Sequence, residues 1–186
     1  MKKVWDVYLD ATKNKGPHSL LKEALLYVKG TKALDVGAGA FRDTNYLIEN
    51  GFTVTAIDAN EGILKYAPEK AEVRIISFDT YEFPIHTFDL INAQYALPFN
   101  QPETFIKMFS ELKNSLKNGG VFAGQFFGSE DGWAGNPHMT FHIENEVREL
   151  LKPLHILSFK EQKEYGKTAV GDEKFWHVFH IIASKN

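Results

Sequence analysis

The sequence predicts a doubly wound α/β domain: a mostly parallel seven-stranded sheet with an antiparallel C-terminal strand and helices on both faces. Two observations predict it. Through about residue 127, short runs rich in β-branched and aromatic residues alternate with stretches of helical periodicity, the pattern of a parallel sheet joined by right-handed crossovers. After residue 150 the alternation stops, and LHILSFKEQKEYG and KFWHVFHIIASK follow one another as a strand pair.

The elements follow in order. A short segment, WDVYL, precedes GPHSLLKEALLYVKG, where Pro17 and Ser19 open a helix that turns Leu20, Leu21, Ala24, Leu25 and Val28 inward and Gly30 ends it. KALDV is the first strand, FRDTNYLIEN a helix stopped by Gly51, and FTVTAID the second strand. A short helix around GILKYAPE leads to AEVRIIS, the third strand, and FDLINA is the fourth. The helix PETFIKMFSELKNSLK closes at Asn118-Gly119-Gly120, because glycine supplies a left-handed cap, and VFAGQFF is the fifth strand. IENEVRELLKP is the last helix.

The chain has 186 residues, 44% hydrophobic and 24% charged, enough for one domain with a real core and too apolar for long disorder. One domain over residues 1–186 is expected, with 1–31 as an N-terminal cap segment and 128–142 as a lid-like loop. A formal net charge of −3 without a Lys/Arg cluster excludes the electrostatic footprint of a nucleic-acid binder. No apolar run approaches membrane-spanning length and Asp6 and Asp10 break up any signal-peptide core, so no membrane partner and a cytoplasmic location are expected. The absence of cysteine removes thiolate metal sites, iron–sulfur clusters and cysteine nucleophiles.

In such a sheet ligands bind at the carboxyl ends of the strands. There, ALDVGAGAFRDT places Gly37 and Gly39 in the turn after the first strand, where positive φ and close backbone approach are needed. Asp58 ends the second strand twenty-one positions after Gly37, at the spacing of a carboxylate that accepts ribose hydroxyls. Asp79, after the third strand, lies at the same edge, in reach of an adenine amine.

With these residues the sequence resembles the class I S-adenosylmethionine-dependent methyltransferases, in particular the small tellurite-resistance and ubiquinone-pathway types. Residues 32–127 carry the likeness: Asp35, Gly37 and Gly39 match the Asp-x-Gly-x-Gly-x-Gly motif, FDLINAQYALPF the fourth motif and LKNGGVFAGQFF the fifth-strand region. The resemblance implies a Rossmann-like fold with S-adenosyl-L-methionine as cofactor. It implies that Gly37, Ala38 and Gly39 line the methionine part and that Asp58 holds ribose. By the same likeness Ala59 and Phe78 flank adenine with Asp79 nearby, and Ala93 and Gln94 lie beside the sulfonium. Arg42 is a candidate partner for the methionine carboxylate. Phe41 departs from the motif's third glycine, and its ring is expected either to enter the cofactor cleft or to push the following helix outward.

Methyl transfer needs an acceptor atom in line with the methyl, with water excluded. Candidate pocket walls are Trp5, Tyr8 and His18 at the N-terminus, Gln94 and Tyr95 after the fourth strand, and Trp133, His138 and His142 after the fifth. Trp5, Tyr8 and Trp133 are the substrate-binding candidates, and Tyr95 and His142 the candidate proton acceptors. A metal site is not expected, since Pro137 disrupts the helix that His138 and His142 would need. Tyr66 and Lys70 imitate a dehydrogenase pair at the wrong position, and Arg42 stands where a dinucleotide motif wants glycine, so a nucleotide-dependent oxidoreductase is a minor alternative. The acidic balance, and the lack of both a cysteine and an Asn/Asp-Pro-Pro-aromatic loop, point to a small-molecule methyl acceptor rather than DNA. The competing reading is a non-catalytic S-adenosylmethionine-binding protein. Composition carries no information on oligomeric state.

Overall fold

A computed structural model describes residues 2–186, with side chains from residue 4 onward. Helix α1 (Lys2–Thr12) and the short α2 (Ser19–Ala24) lead into β1 (Lys32–Val36). Helix α3 (Arg42–Glu49), β2 (Thr53–Asp58), a 3-10 turn over Glu61–Tyr66 and β3 (Glu72–Ile75) follow. Next come β4 (Phe88–Ala93), α4 (Pro102–Ser115), β5 (Leu116–Gly128), a two-residue β6 (Phe141–His142), α5 (Glu144–Leu151), β7 (His155–Lys167) and β8 (Glu173–Ser184).

The strands run in the order β3-β2-β1-β4-β5-β8-β7. Pairs from β3 to β5 are parallel, and β8 is antiparallel to both neighbours. The expected seven strands are thus present, and β6, which pairs with the end of β5, makes an eighth. Reversal of strand order beside β1 opens the crevice at its carboxyl end where a ligand is expected.

Apolar side chains bury both faces. Leu34, Ile91, Phe105, Phe109, Phe122, Val147 and Phe179 belong to the larger core beneath α4 and α5. Leu20, Leu21, Leu47, Val54, Leu90 and Ile182 fill the face under α2 and α3.

Three local expectations differ from the structure. WDVYL lies within α1, a full helix whose buried Leu9 packs beside Phe41 and Ile63. The helix opened by Ser19 stops at Ala24, and Gly30 meets a tertiary requirement instead, because a Cβ there would fall 2.1 Å from the Asp89 carboxyl carbon. Asn118-Gly119-Gly120 forms a bulge within β5 rather than the end of α4: the register with β4 shifts between Phe88 and Leu90, and Gly119 takes a φ of +76°.

Candidate active site at the carboxyl edge of the sheet

The turn after β1 is shaped by β2. The Gly37 and Ala38 N–H groups donate to the Ile57 carbonyl at 2.8 and 3.1 Å, and the Gly39 N–H donates to Asp58 Oδ2 at 2.9 Å. Asp58 Oδ1 accepts the Asn60 N–H at 2.9 Å. Asp58 therefore braces the glycine turn while each oxygen keeps lone-pair capacity for a ligand. Burial pushes its carboxyl pKa up, against the two N–H bonds. Gly37 is required twice, by its φ of +70° and by Ala96, whose Cβ lies 2.6 Å from the position of an added Cβ.

Phe41 adopts φ 59°, the left-handed conformation that the motif's glycine would take without cost. The ring does not enter the cleft. The ring is fully buried beside Leu9, Ala56 and Ile63, and α3 starts at the next residue. Phe41→Gly removes a buried aromatic worth about 3–5 kcal/mol and relieves about 1–2 kcal/mol of backbone strain. The variant is expected to lose about 2 kcal/mol in urea unfolding while keeping cofactor affinity within about tenfold in calorimetry.

Behind the turn runs a buried polar chain. Asp35 accepts from Thr44 Oγ1 at 2.5 Å and from Asn92 Nδ2 at 2.8 Å, the latter across a direct β1–β4 register pair. Asn92 Nδ2 also reaches Asp43 Oδ2 at 3.2 Å. Gln94 donates to Asn92, Gln125 donates to Gln94, and the Tyr95 N–H donates to Gln125 Oε1 at 2.8 Å. This chain holds Tyr95 at φ 54°, a left-handed backbone that a non-glycine residue keeps only when its surroundings impose it. Asp43 in turn receives the His18 backbone N–H at 2.8 Å and holds His18 Nδ1 at 2.7 Å. Burial raises the Asp43 pKa, but the His18 and Asn92 bonds outweigh it and the carboxyl lies below its ordinary value.

Burial, with the Asp43 charge beside it, lifts the Asp35 pKa to about 7. The folded state therefore holds a proton that the unfolded chain releases near pH 4, and stability should fall as pH rises from about 4 to about 7. Asp43, with its lowered pKa, acts in a separate window: its contribution is present above about pH 4 and lost only in acid. Asp35→Asn imitates the protonated acid, accepting from Asn92 and donating to Thr44. Urea unfolding at pH 5 and pH 8 should show wild type losing about 2 kcal/mol more than the variant. An equal loss in both would show that Asp35 is not the titrating group.

Asp35, Gly37, Ala38, Gly39, Arg42 and Gln94 line one cleft together with Tyr8, Thr12, His18 and Asp43. It is ≈ 20 Å³, room for about one water, because α1 lies across it. Tyr8 Cε1 is 3.7 Å from where a Gly39 Cβ would sit, and burial raises the Tyr8 phenol pKa. A nucleoside-sized ligand exceeds this volume, and Tyr8 and Thr12 of α1 are among the side chains that bound it. Arg42 is tied to the N-terminal segment, Nε donating to the Gly16 carbonyl at 2.7 Å.

Other predicted residues lie outside this cleft. Ala59 and Asp79 are exposed, Asp79 accepting from Ser77 Oγ, and Phe78 packs half-buried against the larger core. Ala93 is fully buried. Trp5 packs edge-on against Phe99 and Tyr8, and Trp133 against Phe99, Phe127 and Trp176. Tyr95 bridges these groups, its ring 5.7 Å from His18 and 6.0 Å from Trp176. Burial raises its phenol pKa, which works against a role as proton acceptor. β6 places His142 on the α4 face, 4.9 Å from Phe105 and 5.7 Å from Phe126, where burial lowers its pKa, and it is not among the residues lining the cleft. The imidazole at the cleft is His18, which the sequence placed in the pocket wall without a role. Asp43, Asn92 and Gln125 lie within the quoted stretches without an assigned role, and their bonds to His18, Asp35 and Tyr95 span 25 to 57 positions.

Known proteins share this architecture. A family model described as a methyltransferase domain matches residues 33–120. An uncharacterized methyltransferase of Synechocystis sp. is 33% identical over 110 residues, covering 57% of this chain and 51% of that protein. The chain thus spans about half the length of the curated relative it matches. Among solved structures, TehB from Haemophilus influenzae superposes with a TM-score of 0.78 at 21% identity, over 91% of this chain and 62% of that one. The 1,6-didemethyltoxoflavin-N1-methyltransferase of Burkholderia thailandensis, with 1,6-didemethyltoxoflavin and S-adenosylhomocysteine bound, superposes with a TM-score of 0.67 at 19% identity, over 90% and 79%.

Proposed function

We propose that this chain, which carries a class I S-adenosylmethionine-dependent methyltransferase domain, binds S-adenosylmethionine at the β1–β2 edge and transfers its methyl group to a small-molecule acceptor. The observation that carries the reading is the joint placement of Asp58 and the glycine turn, a braced carboxylate beside backbone that a ligand can approach closely. The donor set suits this cofactor. Asp58 can accept a vicinal diol, Asp35 faces the cleft as a carboxyl group near neutrality, and Arg42 can meet a carboxylate. Space in the cleft for the cofactor requires the side chains of α1 that line it, Tyr8 first, to move aside.

When bound, the cofactor supplies a methyl on a sulfonium, an electrophile with a neutral leaving group. The chain's work is orientation and proton removal, and orientation alone contributes about 7–11 kcal/mol in well-oriented systems. His18 is assigned as the proton acceptor in preference to Tyr95 and His142: Asp43 holds Nδ1, and no hydrogen bond among the described residues takes up Nε2. Asp43 is a positioning residue, fixing the tautomer with the free lone pair on Nε2. A small, planar or amine-bearing acceptor suits the aromatic walls made by Tyr95, Phe99, Trp5 and Trp133. The Burkholderia structure, with 1,6-didemethyltoxoflavin bound, supports a small-molecule acceptor. No helix among the described residues is long and apolar enough to cross a membrane, and a cytoplasmic location is part of this reading.

The test is calorimetric titration with S-adenosylhomocysteine, followed by assay of its release from S-adenosylmethionine across a panel of small N, O and S acceptors. Binding with release supports the reading. Binding with no release on the panel favours a non-catalytic cofactor-binding protein, and no binding overturns both.

A further inference from the structure

A second chemical feature lies at the far side of Tyr95. Lys174, at the start of β8, is buried, and its ammonium stands 3.6 Å from the Trp176 ring centroid, 3.9 Å from Trp133 and 4.4 Å from Phe127. Asp131 lies 2.5 Å from Nζ with both side chains almost wholly inaccessible, 3% and 0% exposed. The carboxylate is held in place by the Trp133 N–H at 3.0 Å and the His177 N–H at 3.2 Å.

An ammonium is only partly satisfied here. It has three N–H donors and one close partner, the Asp131 carboxylate, and its other surroundings are ring faces, which accept no ordinary hydrogen bond. Burial lowers the lysine pKa, and Asp131 only partly opposes this. Three aromatic faces around one buried carboxylate suit a cation that has no N–H to satisfy. The compartment also has an approach from outside: a cleft of ≈ 270 Å³ lined by Gly132, Trp133, Tyr165, Glu173, Lys174 and Phe175, whose rim carries a carboxylate and two further rings.

We propose that Phe127, Trp133 and Trp176, with Asp131, form a binding box for an organic cation of the methylated-ammonium class, and that Lys174 is an internal stand-in which such a ligand displaces. The site stands on its own geometry. Its link to chemistry, an amine acceptor or methylated product held beside Tyr95, rests on the methyl-transfer reading above, and the experiment needs neither cofactor nor turnover.

The probe is tetramethylammonium chloride, titrated into the full chain at constant ionic strength and followed by tryptophan fluorescence, with tert-butanol as the neutral control. Wild type is expected to show weak saturable binding of the cation and none of the alcohol. Lys174→Met, which removes the competing ammonium and leaves Asp131 free to pair with the probe, should bind about tenfold tighter or better, and Trp133→Ala should weaken binding by about tenfold. Should Lys174→Met fail to fold by circular dichroism, the wild-type and Trp133→Ala titrations decide. Absence of saturable binding in wild type, or binding unchanged in Trp133→Ala, overturns the proposal. Binding of tetramethylammonium without methyl transfer on any amine would leave the box standing and remove its link to catalysis.

Discussion

His18→Asn is expected to lower kcat by about 10²–10⁴-fold on any acceptor that must lose a proton. The asparagine amide can still donate to Asp43, and the residue 18 backbone N–H keeps its own bond to that carboxylate, so the buried polar chain survives. Affinity for S-adenosylhomocysteine should stay within about threefold, because in the proposed role the imidazole takes a proton from the acceptor rather than contacting the cofactor. A thiolate acceptor separates this role from a structural one. Already deprotonated, it should lose less than about tenfold. Equal losses on thiolate and protonated acceptors would show that His18 only shapes the pocket.

Asp58→Ala is expected to weaken S-adenosylhomocysteine binding by about 100-fold or more, the second large effect. Two terms add. The ligand's hydroxyls lose a charged acceptor, and the half-buried Gly39 and Asn60 N–H groups lose theirs, at up to about 1 kcal/mol each. The second term loosens the turn itself, so melting without ligand must be compared. Asp58→Asn keeps one acceptor oxygen and should fall between wild type and alanine in calorimetry. Unchanged affinity in the alanine variant would remove the cofactor assignment at its centre.

Much of the fold was legible because it is written in local patterns. Alternating strands and helices reported the parallel half of the sheet, and two uninterrupted strand runs reported the β7–β8 pair. Gly37, Gly39 and Asp58 were legible for a related reason: a strand-to-helix turn needs positive φ, and the end of the neighbouring strand is set by counting along the sheet. Gly30 and Gly119 were misread as helix ends, because glycine also serves where another chain segment comes close or a strand bulges, as beside Asp89 and within β5. The face that His142 takes is set by β6, since loop residues have no face until they pair.

The sequence by itself determined the order of elements, and with it which residues stand at the carboxyl edge of the sheet, among them the carboxylate-glycine pair on which the proposed site rests. Only the tertiary structure decided where the rings and ions between those points go. Phe41 turns into the apolar cluster beneath α1, Tyr8 lies over Gly39, His18 meets Asp43 from 25 positions away, and Lys174 enters a box of three rings. Turn chemistry depends on the allowed angles of a few adjacent residues. A side chain's partners across elements depend on strand register and helix packing, where one residue of slip reverses every face.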